Sequence, residues 1–316
     1  MMATPGRPKL FDFECLTGFF MAQPSMKQEP KLSLVRSPLL EEGRRLIACG
    51  IQTTHVDLGL IPRSYVTEVG ATEDSHLSPW QRFAKHVEQL NLNAKDGELY
   101  KVLYVGRHGQ GYHNVMEAKV GTPAWESHWA LLDGDGEAVW ADSALTDKGK
   151  REAADNGKIW RRLIEQERMP WPALYCSPLR RCLETARLSF ENFAASQGKP
   201  FQPMVKEYLR ERMGRHTCDR RSSRSWIQEH YPSFLIEPGF TEEDELFEAD
   251  RRETDEEHIL RARIAMDDIF ENEPNHFVSI TMHSLASRIL MRVIGQESLR
   301  LAPGSTIAFL VKATRS

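Results

Sequence analysis

No stretch of the 316-residue chain is apolar for long enough to cross a bilayer as a helix, so an integral helical membrane protein is not expected. Cysteine is scarce. The five residues, Cys15, Cys49, Cys176, Cys182 and Cys218, are odd in number and contain no Cys-x-x-Cys pair. That excludes a disulfide scaffold and fits a reducing compartment. Net positive charge is also missing: Lys and Arg total 41 against 45 Asp and Glu, a formal charge of −4. A general nucleic-acid binder is therefore excluded, no acidic membrane partner is expected, and any bound anion needs a local cationic pocket. The opening "MMATPGRPKLFDFECLTGFFMAQPS" has acids inside its apolar part and does not read as a secretory signal. A cytoplasmic or nuclear location is the expectation.

The texture changes near residue 98. Residues 1–97 hold scattered prolines and mixed segments such as "QPSMKQEPKLSLVRSPLLEEG", and read as an N-terminal extension packing on the core. One helix is predicted there, from Ser78 to Leu92. Ser78 suits its cap, Pro79 its first turn, and Phe83, Val87 and Leu90 share a face. Residues 98–316 alternate short apolar strands with amphipathic helices, the pattern of an α/β domain. "KVLYVG", "ALYC", "FVSITM" and "TIAFLVKA" are the clear strands. "MVKEYLRERMG" reads as a strand running into a loop, and the acidic tract 237–257 as a solvated surface before a long helix. No internal repeat is found.

Open α/β sheets bind ligands beyond the carboxyl ends of their strands. Three strands end in suggestive groups: Gly106-Arg107-His108-Gly109, Ser177-Pro178-Leu179-Arg180-Arg181, and His283-Ser284. Parallel pairing would gather two imidazoles and two guanidinium groups, a set suited to a phosphate-sized dianion. A histidine there can attack phosphorus while the cations offset charge on the equatorial oxygens. The leaving alkoxide needs a proton, and Glu211 in "YLRERMG" is the candidate donor, with Glu207 as its rival.

These residues resemble the histidine phosphatase superfamily, in its phosphoglycerate mutase-like branch. "RHGQGYHN" matches the signature, placing Arg107 and His108 on the first arginine and the nucleophile and Asn114 six residues beyond. "DSALTDKG" resembles the family's Leu-Thr-x-x-Gly helix entry, and "CSPLRRCLETA" its Ser-Pro-Leu-x-Arg segment, with Arg181 the second phosphate-binding arginine. "LRERMG" places the acid at Glu211, and "ITMHSL" the second histidine at His283. "HTCDRRS" is similar to a subgroup of fungal and plant phosphoglycerate mutase-like proteins. The resemblance covers about residues 100 to 311. It implies a three-layer α/β/α sandwich with a mostly parallel central sheet, a phosphohistidine intermediate, and neither metal nor cofactor. The implied function is a phosphomonoester phosphatase acting on a small phosphorylated metabolite. A phosphomutase, or a non-hydrolytic relative that binds a phosphometabolite, remains open. Asn114, Gln110, Ser284 and Arg221 are the candidate substrate contacts.

The sequence departs from the family at one point: Ser284, Leu285 and Ala286 follow the second histidine where a glycine is usual. Bulkier groups there predict a reshaped pocket or weakened turnover. The aromatic-rich segment Gly121–Asp142 is expected to form a hairpin over the pocket mouth. Within it, "DGDGE" opens like an EF-hand loop but has Ala138 at the glycine position and no closing glutamate, so a turn is expected. His113 and His216 are expected to line the pocket without doing chemistry, and Arg180 to face solvent. His216 and Cys218 have no second pair to complete a zinc site.

Overall fold

The computed structural model describes residues 9–21, 51–65 and 76–316. In chain order the elements are β1 (Phe11–Leu16), β2 (Ile51–Gln52), α1 (Pro79–Leu92), β3 (Glu98–Arg107), α2 (Tyr112–Val120), α3 (Thr122–Ser127), α4 (Asp147–Gln166), β4 (Ala173–Cys176), α5 (Arg180–Ala194), β5 (Met204–Val205), α6 (Arg224–His230), β6 (Leu235–Ile236), α7 (Asp255–Asn272), β7 (Phe277–Met282), α8 (Ser284–Val293), β8 (Arg300–Leu301) and β9 (Thr306–Arg315). A 7-stranded sheet runs in the order β1-β9-β3-β7-β4-β5-β6. The strands from β3 to β6 are parallel, and β9 is antiparallel to both its neighbours.

Alternation along the strands builds two cores. Leu103 and Val105 of β3, Val278 and Ile280 of β7, and Phe309 and Val311 of β9 face α7 and α8, meeting Met266, Ile269 and Leu290. Val102, Tyr104, Phe277, Ala308 and Leu310 point the other way, into Trp80 and Phe83 of α1, Trp160 of α4 and Phe190 of α5. Successive side chains of a strand exit on opposite faces, so a strand covered on both sides reads as an unbroken apolar run. "KVLYVG" is such a run. Each fully buried large side chain contributes roughly 1.5–3 kcal/mol.

The helix expected from Ser78 forms as Pro79–Leu92. Gln81 N donates to Ser78 Oγ at 3.1 Å and Ser78 N to Gln81 Oε1 at 3.0 Å, a reciprocal cap. Part of the expected extension enters the sheet itself: β1 pairs with β9 from Phe11↔Arg315 to Leu16↔Leu310. The segment "QPSMKQEPKLSLVRSPLLEEG" and Cys49 lie outside the described residues.

Two expectations need correction. The first half of the segment 121–142 is helical, with α3 followed by a 3-10 turn at Trp129–Leu131; only Gly134↔Val139 forms an antiparallel bridge, at its tip. Trp125, Trp129 and Trp140 pack together with Met116, and Trp140 Nε1 donates to Trp129 O at 3.0 Å. Packing these indoles together leaves the hairpin only at "DGDG". The acidic tract is not simply a solvated surface either. Asp244 and Glu253 turn inward onto Arg210 and Arg261, and Arg252 reaches a cleft at the strand ends.

Candidate active site

The parallel register aligns three strand ends. Arg107 of β3 stands opposite Met282 of β7, and Cys176 of β4 opposite Thr281. One residue further on, His108 N donates to Met282 O at 3.0 Å and Ser177 N to Thr281 O at 3.0 Å. The motifs at 107–109, 177–181 and 283–284 therefore leave the sheet side by side. Above them opens a cleft of about 610 Å³, lined by Arg107, His108, Asn114, Arg181, Glu211 and Ser284 among others.

His108 is 2% exposed and its Nδ1 lies 2.7 Å from Gly109 O. Only an N–H can make that bond, so the ring proton sits on Nδ1 and the lone pair on Nε2. Burial, then Arg181 and Arg107, hold its pKa well below the ordinary imidazole value, so the ring is neutral at neutral pH. His283 is 5.1 Å away between ring centroids, edge to face. Arg181 Nε donates to His283 Nδ1 at 3.2 Å, which puts the His283 proton on Nε2 and directs it to Ser177 Oγ at 2.7 Å. Both His283 nitrogens are thus engaged by protein, and its link to an anion runs through Arg181.

Arg181 is 1% exposed and spends three of its five donors on protein: Nε on His283, NH1 on Cys218 O at 2.5 Å, and NH2 on Asp219 Oδ1 at 2.9 Å. One N–H on each terminal nitrogen is left for a ligand. Burial alone would raise the Asp219 carboxyl, but Arg252 and Arg181 outweigh it and hold it below the usual range. Arg107 NH1 donates to Leu301 O at 2.8 Å, and its buried Nε has no partner among the described residues.

The Glu211 carboxylate reaches the first turn of α8. Its Oε2 accepts from Leu285 N at 3.0 Å and its Oε1 from Ala286 N at 3.2 Å and Arg212 N at 3.0 Å. The residues that replace the usual glycine therefore donate to the candidate acid. Glu207 instead pairs with Arg210 and Arg221. Asn114 lines the cleft, and its Oδ1 accepts from Gly111 N at 3.0 Å.

Two candidate contacts are elsewhere. The Gln110 side chain accepts from Thr146 Oγ1 at 3.0 Å, which turns it toward the start of α4 and out of the cleft lining. Arg221 is buried and tied to Glu207, Thr241, Glu242 and Glu243, so it braces the acidic segment and does not reach the cleft. Arg180 lies against Trp226, its guanidinium carbon 4.7 Å from the ring. His113 and His216 both line the cleft. The ligand atoms of His216, Cys218 and Asp219 lie within 4.8 Å of one another, but both Asp219 oxygens are already taken by Arg181 and Arg252, so this trio is poorly suited to a cation.

A close approach of two backbones sets the floor. A Cβ added to Gly109 would meet Gly149 O at 2.2 Å, and one added to Gly149 would meet Gln110 O at 2.1 Å. The loop after β3 thus lies directly on the first turn of α4, whose cap is Thr146. Sequence reasoning did not assign Asp219 as the partner of Arg181, Ser177 as that of His283, or Arg252, Arg288 and Arg300 as cleft residues. The Cys-Asp step of "HTCDRRS" carried a signal for the first; nothing local marks the others.

A mixed sheet between helical layers, with histidines and arginines gathered at its parallel strand ends, defines a phosphoryl-handling enzyme class. The chain belongs to the histidine phosphatase superfamily: the family described as Histidine phosphatase superfamily (branch 1) matches residues 131–306. That stretch holds Arg181, Glu211 and His283, while Arg107 and His108 precede it. The chain is 42% identical over 259 residues to "Probable phosphoglycerate mutase" of Arthroderma benhamiae, covering 82% of this chain and 77% of that one. It is 32% identical over 253 residues to "Phosphomutase-like protein 3" of Candida albicans, covering 79% and 76%. Among solved structures, the α-ribazole phosphatase of Shigella flexneri superposes with a TM-score of 0.41 at 19% identity, covering 68% of this chain and 94% of that one.

Proposed function

We propose that the protein is a phosphomonoester phosphatase that works through a phosphohistidine on His108 and needs no metal. The observation that carries this reading is the fixed tautomer of a neutral, buried His108, with its Nε2 lone pair free, beside two arginines. In the first step Nε2 attacks phosphorus and the bond to the leaving oxygen breaks. Arg107 and the two spare donors of Arg181 meet the charge on the phosphoryl oxygens, and His283 holds Arg181 from behind. Glu211 gives its proton to the leaving alkoxide. In the second step Glu211 takes a proton from water as that water attacks the phosphohistidine, which releases inorganic phosphate and restores His108.

The substrate class is a small phosphorylated metabolite. Arg288 and Arg300 support this: both are exposed at the cleft and have no salt-bridge partner among the described residues. Phosphomutase action is the second reading, favoured by the names of the fungal relatives. The two differ in the fate of the phosphohistidine, which water consumes in one and a second substrate hydroxyl in the other. The test is product analysis with labelled phosphoglycerate, with and without a bisphosphate primer. Free phosphate in proportion to substrate consumed supports the phosphatase; primer-dependent isomerisation without phosphate release overturns it.

A further inference from the structure

Glu211 sits on the irregular stretch between β5 and α6, which carries only short 3-10 turns. Such a segment goes where its backbone groups find partners. Here the partner is one side chain of α7. Arg261, 2% exposed, commits all five of its N–H donors. Nε donates to Glu253 Oε1 at 2.6 Å and NH2 to Glu253 Oε2 at 2.8 Å. NH1 donates to Tyr208 O at 3.0 Å and Arg210 O at 2.8 Å, and NH2 to Glu211 O at 2.7 Å. Glu253, 6% exposed, closes the clamp from the other side: its Oε2 accepts from Met213 N at 3.1 Å, and its own N–H donates to Met213 O at 3.0 Å.

The residues before and after Glu211 are therefore fastened to one buried ion pair, and so is Glu211's own carbonyl. Neither Arg261 nor Glu253 lines the cleft. The carboxylate end is held separately, by Leu285 N and Ala286 N. Two anchors thus set the aim of this side chain: α8 fixes the head, and Arg261 fixes the root. A lysine could not replace that root anchor, because three donors radiating from one nitrogen cannot span a carboxylate and three carbonyls.

We infer that Arg261 and Glu253 are positioning residues for proton transfer by Glu211, acting through the backbone of residues 208–213. The inference rests on the reading of Glu211 as the acid. Proton donation matters for an alkoxide leaving group and little for p-nitrophenolate. The readout is therefore the ratio of kcat/KM for glycerol 2-phosphate to that for p-nitrophenyl phosphate. Taken within one preparation, this ratio is independent of the fraction folded.

The experiment compares wild type, Arg261→Lys, Arg261→Ala, Glu253→Gln and Glu211→Gln. Glu211→Gln should lower the ratio about 100-fold or more, the range of a lost general acid. Arg261→Lys should lower it about 10-fold, and Arg261→Ala added to Glu211→Gln should lower it no further. Should Arg261→Ala fail to fold, Arg261→Lys and Glu253→Gln carry the same test. An unchanged ratio in the Arg261 and Glu253 variants, with the ratio lowered in Glu211→Gln, overturns the positioning role. An unchanged ratio in Glu211→Gln itself overturns the acid assignment first, and the inference with it.

Discussion

At the floor of the cleft each side chain is braced by protein before any ligand arrives. His108 leans on Gly109, His283 on Ser177 and Arg181, and Arg181 on Asp219. At the rim, Arg288 and Arg300 project from α8 and β8 with no salt-bridge partner among the described residues. The cleft lining also takes Glu117 from α2 and Trp125 and Glu126 from α3. The floor comes from strand ends in fixed register, the rim from helix surfaces and turns. On the proposed reading, the first supplies the chemistry and the second recognition. A preorganised floor offers donors without reorganisation cost, whereas solvated guanidinium groups attract anions weakly and over distance.

The sharpest break of this contrast is at His108. His108→Ala should lower kcat on an aryl phosphate by at least about 10⁴-fold, the scale for losing a nucleophile. It should also abolish the acid-labile phosphoenzyme trapped from labelled substrate. Comparable turnover in the variant would remove the floor's chemical role.

Next is Asp219. Its replacement by alanine leaves Arg181 buried without its counter-charge, and breaking a buried pair costs about 3–5 kcal/mol. Urea unfolding should show that loss, and a midpoint within error of wild type would mean the pair is not a floor element.

A third prediction concerns pH. Burial first, then nearby arginines, hold His108, His113, His258 and His283 below the ordinary imidazole value. In the unfolded chain each titrates near pH 6.5, about where a free imidazole does. Their folded pKa values are depressed, so their contribution is full above that pH and is lost as the pH falls below it. Each such group removes about 1.4 kcal/mol per pH unit in that window. The urea midpoint should therefore fall steeply from pH 7 to pH 5, and a flat profile would contradict neutral burial.

The smallest effect belongs to the rim. Arg288→Ala and Arg300→Ala should each raise KM for an anionic phosphate ester by about 2- to 5-fold with kcat unchanged, and added salt should erase the difference. A matching drop in kcat would place either arginine on the floor side.

Much of this was legible in the sequence, for reasons that differ by region. The strands "KVLYVG" and "FVSITM" are covered on both faces, so their apolar runs stand out, and Ser78 with Gln81 caps α1 through neighbouring residues. The motif order located Arg107, His108, Arg181, Glu211 and His283, all of which the fold brings to one place or one contact network. Long-range pairing was not legible. Nothing local tells that residues 11–16 will pair with 310–315, or that Asp244 and Glu253 will turn inward from an acidic run. The segment with the tryptophans reads as a hairpin throughout because its turn residues speak locally, while its indoles, acting together, make its first half helical. Arg221 reads as a substrate contact, yet carbonyls about twenty residues downstream and the carboxylate of Glu207 upstream claim it.

Gly109 and Gly149 touch backbone to backbone, one just beyond the proposed nucleophile and the other in the opening turn of a helix forty residues later. Any side chain at either position must push the two segments apart, and His108 rides on one of them. Random mutagenesis should therefore return no active variant altered at either position, and no second change at the other glycine should rescue one, because added bulk on either side only widens the separation.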